Sequence, residues 1–420
     1  MESPQPTLMI VKKDDLKGLL SRCFSREKET KVSDFSIKIS PNLPTKLISL
    51  EISGIKTEDG RELPSVIYEQ FRPDLIMRIS KFSVSSTGPA TCEDEYRIEK
   101  KMFESKEILR SQKGERIRTV YPEVYDYDDS RLALVRAPKG PSLREMTEDG
   151  KSLEWTELRQ SLYPLALLHA RTSHIMQKNP DFPAMPASNM AEIIARSIKM
   201  ILKSKEKELH AEDLESIKDE FRTIALETLY KTEQAVIHGS LDLSHLNFDK
   251  ISYAGKSIFA PAFCDLSIFL NPALLKEPYN TSTVHERIER VFLNYAQVRK
   301  EIEEELGLHP ARMPSDRRAR TSLEVAVLGG ALKRAASVIN RSGYLHSEFP
   351  DKDKTKNWIN SQVNDHLTIA RELLRLGISD PSYGIRLNNL YLLLQPTEIF
   401  EPYELKKVVG IPALKAIVEE

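Results

Sequence analysis

Ala235-Val-Ile-His-Gly-Ser-Leu-Asp-Leu-Ser-His-Leu-Asn-Phe248, with the apolar run Ser257 to Leu270 behind it, is the stretch whose reading decides the fold. β-Branched residues run into His238-Gly239, which predicts a short strand ending in a turn. A polar loop follows. Leu246 to Phe248 then read as a second, returning strand ahead of a turn around Ala254-Gly255.

This strand, loop and strand resemble the His-Gly-Asp-x-x-x-x-Asn element of aminoglycoside phosphotransferase-like kinases. The resemblance implies an Asp that orients the substrate hydroxyl and an Asn that holds magnesium. Here Ser240 stands at the Asp position and His245 at the Asn position. A hydroxyl accepts a proton far less readily than a carboxylate, and magnesium prefers oxygen ligands to imidazole. The expectation is a kinase-like fold whose standard site has been dismantled.

The 61 basic residues balance the 62 acidic ones, so bulk charge gives no reason to expect nucleic acid or an acidic membrane as partner. With 40% hydrophobic and 29% charged residues, a chain of 420 residues can bury a sizeable core in two or three domains or one two-lobed enzyme. Cys23, Cys92 and Cys264 are odd in number and far apart, which argues for a reducing compartment. Met1 to Thr7 lacks a signal-peptide pattern and no apolar run approaches spanning length, so the reading is cytoplasmic.

Asp14 to Phe24 carries Leu16, Leu19, Leu20 and Phe24 at helical spacing. Strand patterns follow at Val32 to Ile39, Leu47 to Ile55 and Asp74 to Phe82. The third is the candidate for the kinase strand that anchors ATP, with Arg78 at the place of the usual Lys and Lys81 close by. Arg keeps the charge but not the compact ammonium; a cation solvated on a sheet edge is the plain alternative. In the charged helix Cys92 to Arg110, Glu95 falls where the partner of that Lys would sit, or on an exposed face with local ion pairs. Val120 to Tyr127 and Arg131 to Arg136 read as strands before a Pro/Gly-rich hinge, Ala137 to Pro141. The first lobe is expected to be a mixed five-stranded sheet with one long helix.

From Ser142 the pattern turns helical. Glu154 to Gln177 carries Trp155, Leu158, Leu162, Leu165 and Leu168 as an apolar stripe. Its Leu168-His-Ala-Arg-Thr-Ser-His segment, and later Pro261-Ala-Phe-Cys-Asp265-Leu-Ser-Ile-Phe-Leu270, resemble the ecdysteroid kinase-like (CHK kinase-like) family. His169 and His174 read as packing residues, since a spacing of five suits one shared metal poorly. Helices are expected over Met190 to Leu209, Leu214 to Thr232, Ser282 to Leu306, Arg318 to Ile339 and Asn357 to Leu376, with a last short one near Leu405 to Val418. The fold class is therefore α+β, a two-lobed protein-kinase-like fold of the aminoglycoside phosphotransferase/choline kinase type. Its boundaries are an N-lobe over 1–137, a C-lobe over 138–341 and a C-terminal helical extension over 342–420.

The family resemblance also implies a second, metal-binding Asp. The strand where it belongs, Ser257 to Cys264, contains no acid: one alignment puts Ala262 at the metal-Asp position, and the preferred one matches Asp265 to the structural Asp of the Pro-Ala-x-Asp-Leu segment, with the metal-binding segment shortened away. Asp242 stands where related kinases carry a non-acid; with Asp265 and Asp249 it could supply substitute carboxylates, or simply form a turn. Losing positioning, proton acceptance and charge neutralisation together points to a pseudoenzyme that binds a small molecule or a protein. An active ATP- and magnesium-dependent kinase acting on a steroid or amino-alcohol hydroxyl is the second reading. A non-catalytic interaction scaffold is the third.

Overall fold

The computed structural model describes residues 8–25, 29–39, 47–71, 92–105, 109–113, 116–147, 153–175, 184–204, 210–274, 281–308, 316–348, 352–376, 390–391, 394 and 415–419. Arg78, Lys81 and the strand expected over Asp74 to Phe82 lie outside them.

A first strand, β1 (Leu8–Lys12), leads into helix α1 (Lys13–Phe24). The lobe continues through β2 (Val32–Ile39), β3 (Leu47–Thr57), β4 (Glu62–Leu63) and β5 (Val66–Phe71), then α2 (Cys92–Glu104). A small hairpin, β6 (Arg110–Lys113) with β7 (Arg116–Thr119), precedes β8 (Val124–Asp128) and β9 (Ala133–Arg136). The main sheet has the order β2-β3-β5-β9-β8, with β4 paired to β3. Its six strands are antiparallel at every pairing, which corrects the mixed five-stranded expectation. Sequence neighbours such as β2–β3 and β8–β9 pair directly, and such a connection reverses the chain.

Alternation divides this sheet into two faces. Leu50, Ile52, Val66, Tyr68 and Val135 pack on Leu16, Leu19 and Leu20 of α1. Phe71 and Leu134 pack with Val124 on Tyr96 of α2. Each such side chain, once removed from water, contributes about 1.5–3 kcal/mol. The face toward α2 also buries Glu69 and Arg136, and these matter for the site.

The second lobe contains α3 (Leu143–Thr147), α4 (Trp155–Ile175), α5 (Ala187–Ser204) and α6 (Ala211–Glu227). Two strands, β10 (Gln234–Ile237) and β11 (Ile258–Pro261), pair antiparallel and are followed by α7 (Phe263–Leu266), α8 (Thr281–Leu306), α9 (Asp316–Glu348) and α10 (Lys352–Leu376). The stripe Leu158, Leu162, Leu165 and Leu168 of α4 is fully buried, as its spacing predicts. Helix α9 packs along α5, α7 and α10 and forms the spine of the lobe.

Two local expectations are corrected. Leu246 to Phe248 is not a strand: only a single bridge joins Leu246 to Ile251. The Asn247 Oδ1 accepts from the amides of Asp249 (3.1 Å) and Lys250 (2.7 Å), so the side chain folds the backbone into a tight turn before a ladder can form. The helix expected near Leu405 to Val418 also fails at its end, where Lys415–Glu419 forms β12, paired parallel with β1. Neighbouring Ile417 and Val418 suit a pleated edge better than a helix. Among the described residues no helix is long and apolar enough to cross a membrane.

Candidate functional site

The loop between β10 and β11 is held from three sides. His238 is fully buried, and its backbone N–H donates to Asp265 Oδ2 at 2.9 Å. The same oxygen lies 3.4 Å from His169 Nε2 on α4, and His169 Nδ1 lies 2.9 Å from the Tyr295 hydroxyl of α8. Arg299 donates to that hydroxyl (3.3 Å) and pairs with Glu233 and Glu303. His169 is thus held on both ring nitrogens, Nδ1 facing the Tyr295 hydroxyl and Nε2 facing Asp265, which fixes the orientation of the ring. Asp265 spends its carboxylate on the start of the loop.

Gly239 is required by geometry. Its φ is +73°, and a Cβ there would run into the backbone carbonyl oxygen of Lys256. The next residue, Ser240, donates its N–H to His238 Nδ1 at 3.4 Å. Burial, with the nearby His245, holds the His238 imidazole well below its ordinary value and hence neutral.

Asp242 accepts from the Ser244 amide at 2.7 Å and from the Ser244 hydroxyl, an Asx turn. His245 Nδ1 lies 3.5 Å from the same Oδ1. Burial opposes ionisation, but His245, the Arg144 guanidinium and the Ser244 bonds outweigh it and hold the Asp242 carboxyl well below the usual range. Arg144 is in place because α3 is tied to the loop: the amides of Leu143 and Arg144 donate to the carbonyls of Leu246 (2.8 Å) and Leu243 (3.1 Å). Ser142 and Glu145 cap that helix reciprocally, Ser142 N–H donating to Glu145 at 2.7 Å and Glu145 N–H to Ser142 Oγ at 3.3 Å. Asp249 is exposed in the following turn.

The His245 ring is part of an aromatic column between the lobes. Its centroid lies 4.9 Å from that of His238 and 5.8 Å from that of Tyr253, and Tyr253 stacks in turn on Phe71 of β5 at 6.3 Å. The Tyr253 hydroxyl donates to Glu95 Oε2 at 2.6 Å, and Lys256 pairs with the other oxygen of Glu95. Glu95 of α2 is thus buried, and its cationic partner comes from the segment after the loop.

Sequence reading missed a second cluster. Arg136, at the end of β9, pairs with Glu69 of β5 and with Glu99 of α2 (3.3 Å) and donates to the Ser252 carbonyl. The other oxygen of Glu99 accepts from the Ala254 amide at 2.6 Å. The third long strand of the sheet is β5, and the buried charge it carries is the acid Glu69. Burial, with Glu69 adding to it and Arg136 opposing, raises the Glu99 carboxyl to about 7. The signals in the sequence were slight: Glu95 and Glu99 at i,i+4, and lone charges closing or interrupting the apolar runs Ala133 to Arg136 and Val66 to Phe71.

Beneath the loop, α5, α6 and α9 enclose a cavity of about 160 Å³. Ser240, Asp242, Cys264 and Asp265 line its loop end, together with Lys333 and Arg334 of α9. Of the residues singled out from sequence, Ser240, Asp242 and Asp265 therefore share one cavity, His245 sits beside it in the ring column, and Glu95 belongs to the lobe junction.

No protein-family model matches the sequence, and no curated protein matches it. Solved structures do. The choline kinase of Cryptosporidium parvum Iowa II superposes with a TM-score of 0.51 at 11% identity, over 89% of this chain and 99% of that one. The chain has the choline-kinase fold. A Plasmodium vivax ethanolamine kinase matches at TM-score 0.45 and 12% identity, over 82% of this chain and 84% of that one. A choline/ethanolamine kinase family protein of Mesorhizobium loti matches at TM-score 0.44 and 10% identity, over 85% and 92%. The α+β, two-lobed expectation holds, and the loop at the heart of the sequence reading lies where the two lobes of this choline-kinase fold meet.

Proposed function

We propose that this chain is a kinase-fold binding protein that holds a small molecule in the cavity of its helical lobe and transfers no phosphate to it. The observation that carries the reading is the ring column. His245, at the position where the resemblance calls for a magnesium-holding Asn, is stacked at 5.8 Å on Tyr253 and 4.9 Å from His238. A packed imidazole offers no oxygen to a hard cation.

The charges around it support the same reading. Asp265 Oδ2 is engaged by His238 and His169, and Asp242 Oδ1 by Ser244 and His245. Among the described residues no three Asp, Glu, His or Cys side chains converge as a metal site. These residues do not fit a magnesium ion, and no step of the proposed function runs through one. Where α2 packs on the sheet, Glu69 of β5 and Glu99 of α2 set two buried carboxyl groups against the single guanidinium of Arg136, an environment that counts against anchoring phosphate oxygens there.

One observation favours a second reading, an active small-molecule kinase. Asp242 lines the cavity two residues from Ser240, where an ionised carboxylate could orient a bound hydroxyl, although a carboxyl held this far below its usual range is a weak proton acceptor.

The test is a thermal-shift titration of the full chain with ATP, with and without Mg²⁺. A native-state ligand at a hundredfold excess over its Kd adds about 2.7 kcal/mol of stability. The expected result is no magnesium-dependent rise in midpoint. A magnesium-dependent rise, with ATP consumption that vanishes in Asp242→Asn, would overturn the proposal in favour of the active kinase.

A further inference from the structure

The cavity beneath the loop has an apolar body and a charged end, and the two together define a ligand. Met185, Met190, Ile193, Ile194 and Phe221 line the body, supplied by α5, α6 and the segment before them. Gly329 of α9 faces this wall: a Cβ there would come within 3.1 Å of Ile194 Cδ1, so the glycine preserves the space. Two methionines give the wall an adaptable surface. A volume of about 160 Å³ is close to the roughly 150 Å³ void that takes a benzene molecule in an engineered protein core. The body therefore suits one ring or a short alkyl chain.

The loop end carries two anions and two cations, and they are unequally partnered. Asp242 has Ser244 and His245 on its carboxylate and the Arg144 guanidinium nearby. Asp265 is taken by His238 and His169. Arg334 donates to the carbonyl (2.9 Å) and hydroxyl (3.3 Å) of Ser267. Lys333 is different. Its ammonium bonds only the neutral Gly239 carbonyl oxygen, at 3.1 Å, and among the described residues it pairs with no carboxylate.

A partly buried ammonium has three N–H donors, and with one carbonyl as its hydrogen-bond partner and Asp265 acting on it without a direct ion pair, it has donors left for an acceptor in the cavity. A cationic head would add a third positive charge beside Lys333 and Arg334. A neutral head would leave the ammonium with the charge of Asp265, which acts on it without a direct ion pair and is itself engaged by His238 and His169. A dianionic phosphate would set two more negative charges against Asp242 and Asp265 across the same small space, whereas a monocarboxylate adds one and places it on the ammonium that has no direct ion pair.

From this we infer that the cavity binds a small apolar monocarboxylate, its carboxylate on the Lys333 ammonium beside the Ser240 hydroxyl and its ring or short chain against Ile193, Ile194 and Phe221. The inference rests on the small-molecule reading of the cavity and names its ligand class. Lys333 sits below its ordinary ammonium value, mainly because it is buried, and an arriving carboxylate would restore that value.

The experiment compares three probes of one size with different heads: phenylacetate, 2-phenylethanol and 2-phenylethylamine. Each is titrated against the full chain by ligand-observed NMR and calorimetry at pH 7. Phenylacetate is expected to bind at least tenfold more tightly than the alcohol or the amine. Lys333→Gln, which can still donate to the Gly239 carbonyl, should abolish that preference. Ala326→Phe, which fills the cavity and leaves the charged end intact, should abolish binding of all three. Circular dichroism of both variants establishes that they fold. If the alcohol or amine binds as tightly as phenylacetate and Ala326→Phe removes it, the cavity is a ligand site but the anionic head is wrong. Retention of the tenfold preference in Lys333→Gln overturns the role of Lys333. If none of the three binds, this inference falls, and the reading of the altered site is judged separately by the ATP titration.

Discussion

Replacing Glu99 with Gln removes one of the two acceptors used by Arg136 and the Ala254 amide, and should shift stability in the variant's favour by an amount that grows with pH. Glu99 faces Arg136 together with Glu69, so two carboxylates share one guanidinium away from water. With both ionised the cluster carries a surplus negative charge. Burial first, and the repulsion from Glu69, therefore move the Glu99 carboxyl from 4.5 to about 7, against the pull of Arg136. Between those values the folded chain keeps a proton that the unfolded chain has released. The stabilisation from that proton is complete below pH 4.5 and is lost as pH rises through 7. At 1.36 kcal/mol per unit the whole effect is about 3 kcal/mol, of which about 2.5 kcal/mol falls between pH 5 and pH 8. A Gln amide resembles the protonated carboxyl and does not titrate. Urea unfolding followed by tryptophan fluorescence at pH 5, 6, 7 and 8 should show the advantage of Glu99→Gln over the parent chain growing by about 2.5 kcal/mol across that range. If the two stability curves run parallel to within about 0.5 kcal/mol, the cluster carries no shared proton and the reasoning fails.

Two further outcomes test the loop. Asp265→Ala leaves the buried His238 amide and His169 Nε2 without their acceptor, and should cost about 2–4 kcal/mol in urea unfolding; a loss under about 1 kcal/mol would mean that the loop is held elsewhere. Gly239→Ala places a Cβ at φ +73° against the Lys256 carbonyl, and should cost more than about 2 kcal/mol in the same assay, where a neutral result would mean that the loop can turn without its glycine.

What the sequence made legible was mostly local or periodic. The α4 stripe announces its own burial, because residues three and four apart share a helix face whatever packs against it. His238-Gly239 announces a turn, because a glycine at the end of a β-branched run has few other uses. Leu246 to Phe248 misled, because its composition suits a strand while the Asn247 side chain captures the next two amides. Val66 to Phe71 escaped notice as a strand because Glu69 and Gln70 interrupt it, and only an ion pair with a distant Arg136 makes a buried acid there tolerable.

The same reasoning explains why the candidate site was only half visible. Ser240, His245 and Asp242 are read within one loop, but what they do depends on groups from elsewhere in the chain: Tyr253 and Phe71 for His245, Arg144 for Asp242, Lys333 for the floor beneath Ser240. A substitution in a motif says which chemistry has left; it does not say what has filled the space. Here the filling is specific. One ring column and one Glu–Arg–Glu cluster cross the junction between the lobes, both ending on the segment Ser252 to Lys256. On the proposed reading, these ties across the junction count against the opening and closing by which lobed enzymes gate their sites. The cavity below it, walled by α5, α6 and α9, does not depend on that motion. The proposed loss of phosphate chemistry and the proposed ligand cavity are therefore compatible in one fold, because different elements build the two regions.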